Sequence, residues 1–421
     1  MAKKEKVLLV GAYRGRDGRS GAGESLDELA LLARTAGGEV VSGVLQEKRK
    51  IDPATFIGRG KAEEIGEMCR EKAVDLVVFD DDLSPAQARN LEELVGVRVI
   101  DRSQLILDIF ALGARTSVAK AQVELAQIEY TLPRLTGMWE HLSRAGSGIG
   151  TRGPGETQLE VDRRRIRRRM FTLKKVLKKV EQDRMVRTSR RKDFPKASLV
   201  GYTNTGKSTL FNLLTRATVG TGDRLFETLD TTTRILKLEP KEAVLLSDTV
   251  GFIKKLPHHL VVSFHATLEC VIEADLVIHV ADLSHPNYEA QIATVREVLE
   301  EIGAGGKQEM LVFNKADLAE DEATLNLALR QNEGSLSISA LHGWGMEDLK
   351  QRLYDFASRD KAEIFVVLPQ TDTKEMSYIN RYGQILGSES HDGGLRLHVR
   401  IDRKYVKPLE AYIESGSKKP S

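Results

Sequence analysis

The chain has 421 residues, of which 41% are hydrophobic and 29% are charged. This length exceeds what one hydrophobic core supports, so we expect two to four domains, and the composition excludes bulk disorder and a fibrous repeat. Cys69 and Cys270 are too far apart for a CxxC metal or redox motif, and they indicate a reducing compartment. No apolar run is long enough to predict a membrane span, and the short basic start does not resemble a secretory signal.

The net charge of +2 conceals a strong segregation of charge along the chain. Residues 1–116 hold 18 basic and 20 acidic side chains, residues 117–193 hold 19 and 9, and residues 194–421 hold 26 and 32. The positive potential is therefore concentrated in the middle segment. A field of this kind attracts a polyanion.

In the first hundred residues, apolar runs that predict strands alternate with amphipathic patterns that predict helices. Gly37 and Gly38 stop the first helix, while Ser84 as N-cap and Pro85 in the first turn begin the third. This alternation predicts an open parallel α/β sheet. The predicted strands are Lys6–Ala12, Glu39–Leu45, Asp75–Phe79 and Val97–Ile100, and the predicted helices are Glu24–Ala36, Lys61–Lys72 and Ser84–Val95.

The middle segment predicts an antiparallel helical hairpin. Apolar residues from Val118 to Leu135 recur at alternating spacings of three and four, and Pro133 should kink or end the last turn of this helix. A glycine-rich stretch follows at residues 143–155, and apolar residues then recur every seven positions from Leu159 to Val180. A helical arm of 30 residues would reach about 45 Å.

The second helix of the hairpin is strongly basic. It contains RRRIRRR at residues 163–169 and four lysines at positions 174, 175, 178 and 179, and no acid occurs between residues 163 and 180. A solvated helix is one interpretation, but such helices usually mix the two signs of charge. Binding to a phosphate backbone, mostly independent of base sequence, is the interpretation we favour, with RNA preferred over DNA.

The glycine-rich hairpin tip and one other glycine-rich stretch leave alternatives open. The hairpin tip, residues 146–158 with Arg144 and Arg152, either lies close against another surface or is a flexible connector. Residues 58–61 (GRGK) are either an ordinary entry to a helix or a phosphate contact. His258 and His259 have no metal-ligand partners at a useful spacing, and we interpret them as polar loop residues.

A new α/β unit starts at Lys196 and contains a phosphate-binding loop. The sequence G-x-x-x-x-G-K-S lies between an apolar strand and a helix at Thr209–Leu214, the context that this motif requires. The loop amides and the helix N-terminus attract phosphates, Lys207 adds charge for the β- and γ-phosphates, and Ser208 can bind Mg²⁺. The expected binding residues are Gly201, Tyr202, Thr203, Asn204, Thr205, Gly206, Lys207, Ser208 and Thr209.

Three further elements follow in the order of a GTP-binding domain, each after a predicted strand. Asp248 can hold Mg²⁺ through water, and the N–H of Gly251 can reach the γ-phosphate. Asp317 can accept both N1–H and N2–H₂ of guanine, a pattern that adenine cannot supply. The ordered set predicts a domain that binds and hydrolyses GTP at the carboxyl ends of its strands. Its members are Asp248, Thr249, Val250 and Gly251, then Asn314, Lys315, Ala316 and Asp317, then Ser339, Ala340 and Leu341.

The switch I segment and the residue after Gly251 bear on how GTP would be hydrolysed. Residues 226–233 offer four threonines for the Mg²⁺ ligand of switch I, and we prefer Thr228 together with its neighbours Phe226, Glu227, Leu229 and Asp230. Phe252 stands where Ras-like proteins have the glutamine that orients the attacking water. Because a phenyl ring cannot orient water, we expect slow intrinsic hydrolysis and help from a partner. The catalytic candidates are therefore Lys207, Thr228 and Gly251.

The last 60 residues carry no motif with an evident chemistry. We predict strands at residues 363–368 and 394–401 and helices at Thr373–Tyr382 and Tyr405–Ser415, which together indicate a small α+β domain. The chain is thus predicted to be an α/β multidomain protein with a Ras-like P-loop GTPase domain. The expected divisions are residues 1–116, 117–193, 194–360 and 361–421.

Together, these motifs resemble the HflX family of ribosome-associated GTPases. The residues that carry the resemblance are GTRGPGETQLEVDRRRIRRR at 150–169, the loop GYTNTGKSTLFN, the stretch LFETLDTTTR and DTVGFI. The resemblance covers nearly the whole chain. It implies binding to the large (50S) ribosomal subunit and its rRNA, with the hairpin tip near the peptidyl-transferase region, and it places the switch threonine at Thr228.

The resemblance also implies that GTP drives the separation of stalled or idle 70S ribosomes into subunits, with hydrolysis stimulated by the ribosome. Two alternatives stay open: a GTPase that assists ribosome assembly or RNA modification, and an RNA-binding switch that hardly turns GTP over. We expect Mg²⁺ as cofactor, GTP and GDP as ligands, and a monomer. We further expect a cytoplasmic location with a membrane-peripheral fraction but no membrane span.

Overall fold

The structure, a computed structural model, divides the chain into two compact units. The first comprises residues 1–234 and 246–344, and the second comprises residues 235–245 and 345–421. Among the described helices, none is long and apolar enough to cross a membrane. The described residues are 4–15, 18–48, 50–144, 154–189, 194–217, 225–226, 231–238, 242–255, 265–319, 322–369, 373–391 and 394–414.

The first unit begins with a four-stranded parallel sheet in the order β2-β1-β3-β4, which confirms the predicted open α/β fold. Both faces of the sheet are buried, as is typical of parallel sheets: Leu8 and Val10 lie in one apolar cluster, and Val7 and Leu9 in another. The strands are β1 (Lys6–Tyr13), β2 (Glu39–Glu47), β3 (Leu76–Phe79) and β4 (Arg98–Asp101), and the helices are α1 (Gly18–Thr35), α2 (Arg59–Lys72), α3 (Pro85–Val95) and α4 (Arg102–Gly113).

Local signals in this part were interpreted correctly. The Ser84 side chain accepts from the Gln87 N–H, and the Gln87 side chain accepts from the Ser84 N–H, so a full capping box begins α3. Residues 58–61 form an entry to α2, where Gly58 is the N-cap. Helix α4 was not predicted; its N-cap is Asp101, whose side chain accepts from the Gln104 N–H.

Helices α5 (Ser117–Arg144) and α6 (Pro154–Ser189) form the predicted hairpin. Their contact is apolar and includes Ala121, Leu125 and Leu173. Of the glycine-rich tip predicted at residues 146–158, residues 146–153 lie outside the described residues, and residues 154–158 begin α6. The same holds for Arg152, for the side chain of Arg144, and for His258 and His259.

Of the two expectations for Pro133, a kink or an end of the helix, the end was wrong, because α5 continues to Arg144. Side chains on both sides of the proline hold this helix against β4. The Tyr130 hydroxyl donates to Asp101 Oδ1 at 2.7 Å, and Arg134 Nη2 donates to Asp101 Oδ2 at 2.9 Å. These charge-assisted contacts with a buried carboxylate hold α5 in place on both sides of the proline.

A six-stranded sheet follows, in the order β10-β9-β8-β5-β7-β6. Strand pairs β5–β8, β8–β9 and β9–β10 are parallel, so the loops after β5, β9 and β10 meet at one edge of the sheet. The strands are β5 (Lys196–Val200), β6 (Thr232–Leu238), β7 (Glu242–Asp248), β8 (Leu276–Asp282), β9 (Gln308–Asn314) and β10 (Leu336–Ser337), and the helices are α7 (Lys207–Thr215), α8 (His265–Ile272), α9 (Tyr288–Glu301) and α10 (Glu322–Gln331).

The second unit contains a three-stranded antiparallel sheet in the order β11-β13-β12. Alternate residues of β11 and β13, such as Ile364 and Val399, are buried in an apolar cluster. The elements are α11 (Met346–Ser358), β11 (Lys361–Pro369), α12 (Thr373–Tyr382), β12 (Gly383–His391) and β13 (Gly394–Asp402).

The predicted final helix was wrong. Residues Arg403–Tyr405 and Lys407–Tyr412 form two short 3₁₀ turns, after which Ile413 is extended and pairs with Val366. Pairing with the edge of β11 therefore prevails over the local helical pattern in this segment. Ser415, the predicted end of the helix, lies outside the described residues.

Candidate nucleotide-binding site

The loop between β5 and α7 has a backbone that only glycine allows at two positions. Gly201 has a φ of +153°, and a Cβ there would lie 2.2 Å from the carbonyl oxygen of Val280. Gly206 has a φ of +87°, and a Cβ there would lie 2.2 Å from Asn314 Nδ2. Helix α7 begins at the next residue, Lys207, so its N-terminal amides face the loop and can bind an anion.

The side chain of Lys207 lies inside this loop. Its Nζ donates to the carbonyl oxygens of Gly201 at 3.1 Å and Tyr202 at 2.5 Å, and the residue is only 6% exposed. Burial lowers the pKa of Lys207 to about 8, although the charge of Asp248 opposes the shift. An arriving phosphate would stabilise the charged ammonium group, which the fold by itself disfavours.

Asp248, at the end of β7, lies beside the first turn of α7. One carboxylate oxygen, Oδ2, accepts from the Ser208 hydroxyl at 2.9 Å, whereas Oδ1 is buried and has no hydrogen-bond partner among the described residues. Burial raises the pKa of Asp248 to about 6, against the opposing effects of Lys207 and Ser208. A bound cation would satisfy this carboxylate.

These residues fit Mg²⁺. The ion prefers oxygen ligands and usually takes one or two from the protein, with water and phosphate oxygens as the others. The Ser208 hydroxyl and the unpaired oxygen of Asp248 supply this donor set. Across the described ranges, no group of three His, Cys, Asp or Glu side chains could hold a metal ion, so an ion here would depend on the nucleotide for further ligands.

Asn314, at the end of β9, connects the phosphate loop to the loop after β10. Its Nδ2 donates to the carbonyl oxygen of Thr205 at 2.8 Å, and its Oδ1 accepts from the N–H of Ala340 at 2.9 Å. Asn314 is only 3% exposed, and Ser339 beside it is fully buried. The asparagine therefore fixes the distance between the two predicted ends of the nucleotide site.

Asp317 presents a free acceptor at the predicted guanine position. Its Oδ1 is buried and has no hydrogen-bond partner in the described part of the chain, and its Oδ2 lies 3.7 Å from His342 Nε2. Lys315, in a left-handed conformation, forms an ion pair with Asp282 at 2.6 Å. An unsatisfied buried carboxylate oxygen is costly, and the N–H groups of guanine can satisfy it.

Residues 248–255, which we call the DxxG segment, lie directly over the phosphate loop. The N–H of Thr203 donates to the Phe252 carbonyl at 2.7 Å, and the N–H of Phe252 donates to the Gly201 carbonyl at 3.0 Å. A Cβ on Gly251 would lie 2.9 Å from Thr203 Cα and 3.1 Å from Lys207 Nζ. The absence of a side chain at Gly251 permits this close approach.

Phe252 is 2% exposed and belongs to the large apolar cluster that also contains Leu9 and Phe110 of the N-terminal part. The ring is therefore a core residue that anchors the DxxG segment. It has no polar atom to orient water, as its sequence position suggested.

A buried polar network joins this site to the N-terminal sheet. The Tyr202 hydroxyl donates to Glu28 Oε1 at 2.5 Å and accepts from the Lys254 N–H at 2.8 Å. Arg102, which is 1% exposed, pairs with Glu28 and also with Asp80, at 2.8 Å. The phosphate loop and the DxxG segment are thus both tied to the N-terminal residues.

Lys255 completes the network from the DxxG segment. Its Nζ lies 2.5 Å from Asp80 Oδ2 and 2.8 Å from Asp81 Oδ1. Burial raises the pKa of the Asp80 carboxyl, but the charges of Arg102 and Lys255 outweigh it, so the net direction is downward. Asp80 therefore stays ionised between two cations.

Of the predicted switch I segment at residues 226–233, the structure describes Phe226 and residues 231–233, and Thr232 and Thr233 belong to β6. The Leu225 N–H donates to Thr35 Oγ1 at 3.3 Å, and the Phe226 ring packs edge-on against Phe110 at 4.8 Å between centroids. Thr228 and its neighbours Glu227, Leu229 and Asp230 lie outside the described residues.

Apart from Tyr202, the residues of the polar network were not predicted from the sequence. The available signals were an acidic run at residues 80–82 directly after β3 and the lysine pair at 254–255 directly after DTVGFI. Because the two runs are more than 170 positions apart, nothing in either pattern pairs them.

Three family models match consecutive parts of the chain. They are described as GTP-binding GTPase N-terminal (residues 23–111), GTP-binding GTPase middle region (residues 113–191) and 50S ribosome-binding GTPase (residues 196–315). The last match contains the phosphate loop and the DxxG segment, and it ends within the sequence Asn314–Asp317.

Relatives with known names match the chain over almost its full length. The GTPase HflX of Lacrimispora saccharolytica is 44% identical over 408 residues, which are 96% of this chain and 96% of the relative. The GTPase HflX of Escherichia coli K12 is 42% identical over 421 aligned positions, which cover 97% of each chain. A GTP-binding protein from Sulfolobus solfataricus, solved in complex with GDP, is 24% identical with a TM-score of 0.45, covering 84% of this chain and 99% of its own. The identity and coverage of the two HflX relatives show that the chain is a GTPase of the HflX family.

Proposed function

We propose that the site described above binds Mg²⁺·GTP with the phosphates on the 201–209 loop and the guanine at Asp317. Lys207 binds the β- and γ-phosphates, and Ser208, Thr228 and the Asp248 carboxylate hold the metal side of the site. The Gly251 N–H meets the γ-phosphate. Two buried carboxylate oxygens without a hydrogen-bond partner in the described part of the chain, Asp248 Oδ1 and Asp317 Oδ1, support this assignment from opposite ends of the site.

Hydrolysis in this proposal depends on an external partner. Mg²⁺, when bound, neutralises charge that develops on the phosphate oxygens. The chain's own contribution is to position the phosphates through the loop amides and Lys207. Phe252 packs into the core and leaves the attacking water without an orienting side chain. A partner must therefore supply that function or reposition the DxxG segment.

The partner that we propose is the large ribosomal subunit, bound through its rRNA. The observation that carries this proposal is the cationic surface of α6. Nine of the basic residues between 163 and 179 are exposed there, without an acid in the interval. Two of the nine, Arg169 and Lys174, pair with Glu124 and Glu129 of α5, and the excess positive charge of the others can bind the phosphate backbone of nucleic acid. The match to the family described as 50S ribosome-binding GTPase is consistent with this partner.

We further propose that the chain acts as a monomer in the cytoplasm, organised in the four segments predicted from its sequence, and uses GTP to separate idle or stalled 70S ribosomes into subunits. The test is sedimentation of 70S ribosomes with the full chain and either GTP or a non-hydrolysable analogue. We expect free subunits to accumulate with either nucleotide and GTP turnover to rise on addition of large subunits.

A Lys207→Ala variant is the matched control, because it removes the ammonium group that would bind the phosphates and leaves the hairpin intact. It should bind nucleotide weakly and leave 70S particles whole. Association only with precursor particles, with 70S ribosomes intact, would instead indicate a role in assembly. Turnover that does not respond to large subunits would contradict the proposed partner.

A further inference from the structure

An exposed aromatic ring lies in the middle of the cationic surface of α6. Phe171 is 72% exposed, although it sits on a helix whose other side is packed against α5. The apolar contact between the helices uses Met170, Leu173 and Leu177 instead. Burying such a ring stabilises a protein by about 1.5–3 kcal/mol, so its large exposure here is not explained by folding.

Every helical neighbour of Phe171 is a cation. On an α-helix, the residues three, four and seven positions away share one face with the central residue. All six of these positions are basic in this chain. They are Arg164, Arg167, Arg168, Lys174, Lys175 and Lys178.

The cations of α6 fall into two groups with different partners. Toward α5, Arg169 makes two hydrogen bonds to Glu124, at 2.6 and 2.7 Å, and Lys174 pairs with Glu129 at 2.9 Å. Around Phe171, in contrast, no carboxylate of the described residues pairs with the other five cations. The first group stabilises the hairpin, and the second leaves its charge available to a ligand.

The same face is concave. Phe171 and four arginines line an open groove of about 750 Å³ together with Glu160 and Thr172. The lining residues on the cationic side are Arg163, Arg164, Arg167 and Arg168.

The combination of one flat apolar ring and surrounding cations fits an unpaired nucleobase with its flanking phosphates. Bases in single-stranded RNA loops are recognised by stacking on aromatic side chains, while a duplex keeps its bases stacked on one another. The stretch from Arg164 to Lys178 spans about 21 Å of helix, which is long enough for phosphates on both sides of one base. A lipid surface would require a continuous apolar face, and Phe171 is an isolated ring.

We propose that Phe171 stacks on one unpaired base of an RNA loop, while Arg164, Arg167, Arg168 and Lys175 bind the adjacent phosphates. This proposal rests on the proposed function for the identity of the RNA, which is rRNA of the large subunit. It adds a requirement that a purely electrostatic hairpin would not have, namely a base without a pairing partner.

The test measures binding of the full chain to three probes: a 12-nucleotide single-stranded RNA, its duplex, and the same single strand with abasic sites. The variants are Phe171→Leu, which keeps an apolar side chain, and Phe171→Tyr, which keeps the ring. Val176→Ala is the matched control, because Val176 is also an exposed apolar residue of α6, at 46%. A fourth variant replaces Arg164, Arg167 and Arg168 by Gln.

We expect Phe171→Leu to weaken binding of the single strand about five-fold or more, because stacking of one base contributes that much. Its binding to the duplex and to the abasic strand, and the slope of affinity against salt, should not change. Phe171→Tyr and Val176→Ala should behave as the parent. The triple Gln variant should weaken binding to all three probes and flatten the salt dependence.

The proposal is overturned if Phe171→Leu binds the single strand as tightly as the parent, or loses duplex binding equally. It is also overturned if the variant loses binding to anionic phosphatidylserine vesicles and retains RNA binding, which would assign the ring to a membrane. Its failure and that of the proposed function are separable. If the triple Gln variant loses binding to the large subunit and Phe171→Leu keeps it, only the stacking is refuted. If the triple variant binds the large subunit as the parent does, the hairpin is refuted as the ribosome anchor.

Discussion

The ammonium group of Lys255 lies 2.5 Å from the carboxylate of Asp80, although 175 positions separate the two residues in sequence. The contact links the DxxG segment to the loop after β3. Because Gly251 and Phe252 are only a few residues away, any movement of the segment toward or away from a γ-phosphate must carry Lys255 with it. The loop after β3 is thereby in direct contact with the segment whose Gly251 N–H we propose to meet the γ-phosphate.

Lys255→Met should loosen the DxxG segment. Asp80 would keep Arg102 as its partner, so the loss of stability should be modest, about 1 kcal/mol for a partly exposed pair. Amide hydrogen exchange of residues 251–255 should become faster while exchange in β1 and β3 stays unchanged. Lys254→Met removes the same charge from the neighbouring residue, and equal effects of both variants would contradict the role assigned to the ion pair.

Gly251→Ala should prevent the close approach of the DxxG segment to the phosphate loop. The added Cβ would meet the backbone at Thr203, so the nucleotide-free protein should lose about 1–3 kcal/mol of stability. GTP turnover should fall as well. Gly58→Ala is the control, since a Cβ there meets nothing within 4 Å and the backbone φ is −61°. Urea denaturation of both variants measures the difference, and equal midpoints would show that the segment tolerates a side chain.

Lys207→Met should bind GTP at least 100-fold more weakly and yet make the nucleotide-free protein more stable near pH 7, by on the order of 1 kcal/mol. The sign follows from the lowered pKa of Lys207, about 8 in the fold against 10.5 for the free side chain. The folded state disfavours the proton, so the destabilisation by Lys207 is fully present below pH 8 and disappears as the pH rises toward 10.5.

The stability difference between Lys207→Met and the parent should therefore shrink between pH 7 and pH 9.5, as measured by chemical denaturation without nucleotide. Lys315→Met serves as a control, because it removes a different ammonium group, one at the other end of the site that is paired with Asp282. A Lys207→Met variant that is less stable than the parent at pH 7 would show that the buried ammonium group is fully compensated.

Asp317→Asn should weaken GTP binding on the order of 100-fold. The substitution replaces one charged carboxylate acceptor by an NH₂ donor, which would face the N–H groups of guanine. The same amide can donate to the 2-oxo group of xanthine, so affinity for xanthosine triphosphate should rise. Competition with a fluorescent nucleotide measures both affinities. Asp282→Asn, which alters the neighbouring ion pair with Lys315, should show no such exchange of preference.

Much of the fold follows from local sequence signals. The capping box at Ser84, the glycines of the phosphate loop and the heptad pattern of α6 each specify a structure through residues within one or two turns of each other. The ordered motifs of the nucleotide site could be predicted for the same reason, since each follows its own strand.

The features that sequence analysis missed depend on distant partners. Strand β12 (Gly383–His391) carries mostly exposed residues and no clear alternation, so only its pairing with β13 reveals it. The helix predicted at the C-terminus gives way to pairing of Ile413 with β11. The pairing of Asp80 with Lys255 and of Glu28 with Tyr202 also requires the folded chain, since neither pattern identifies its counterpart.

The burial of Phe252 has a consequence for substitutions at this position. A glutamine at this position, which would be needed to activate water from within, would place an unpaired amide in an apolar interior, at a cost of about 1–3 kcal/mol. It would also release the segment that the ring holds in place. A Phe252→Gln exchange would therefore weaken the fold at the very position where it adds a polar group, which ties the proposed dependence on a second molecule to the packing of this segment.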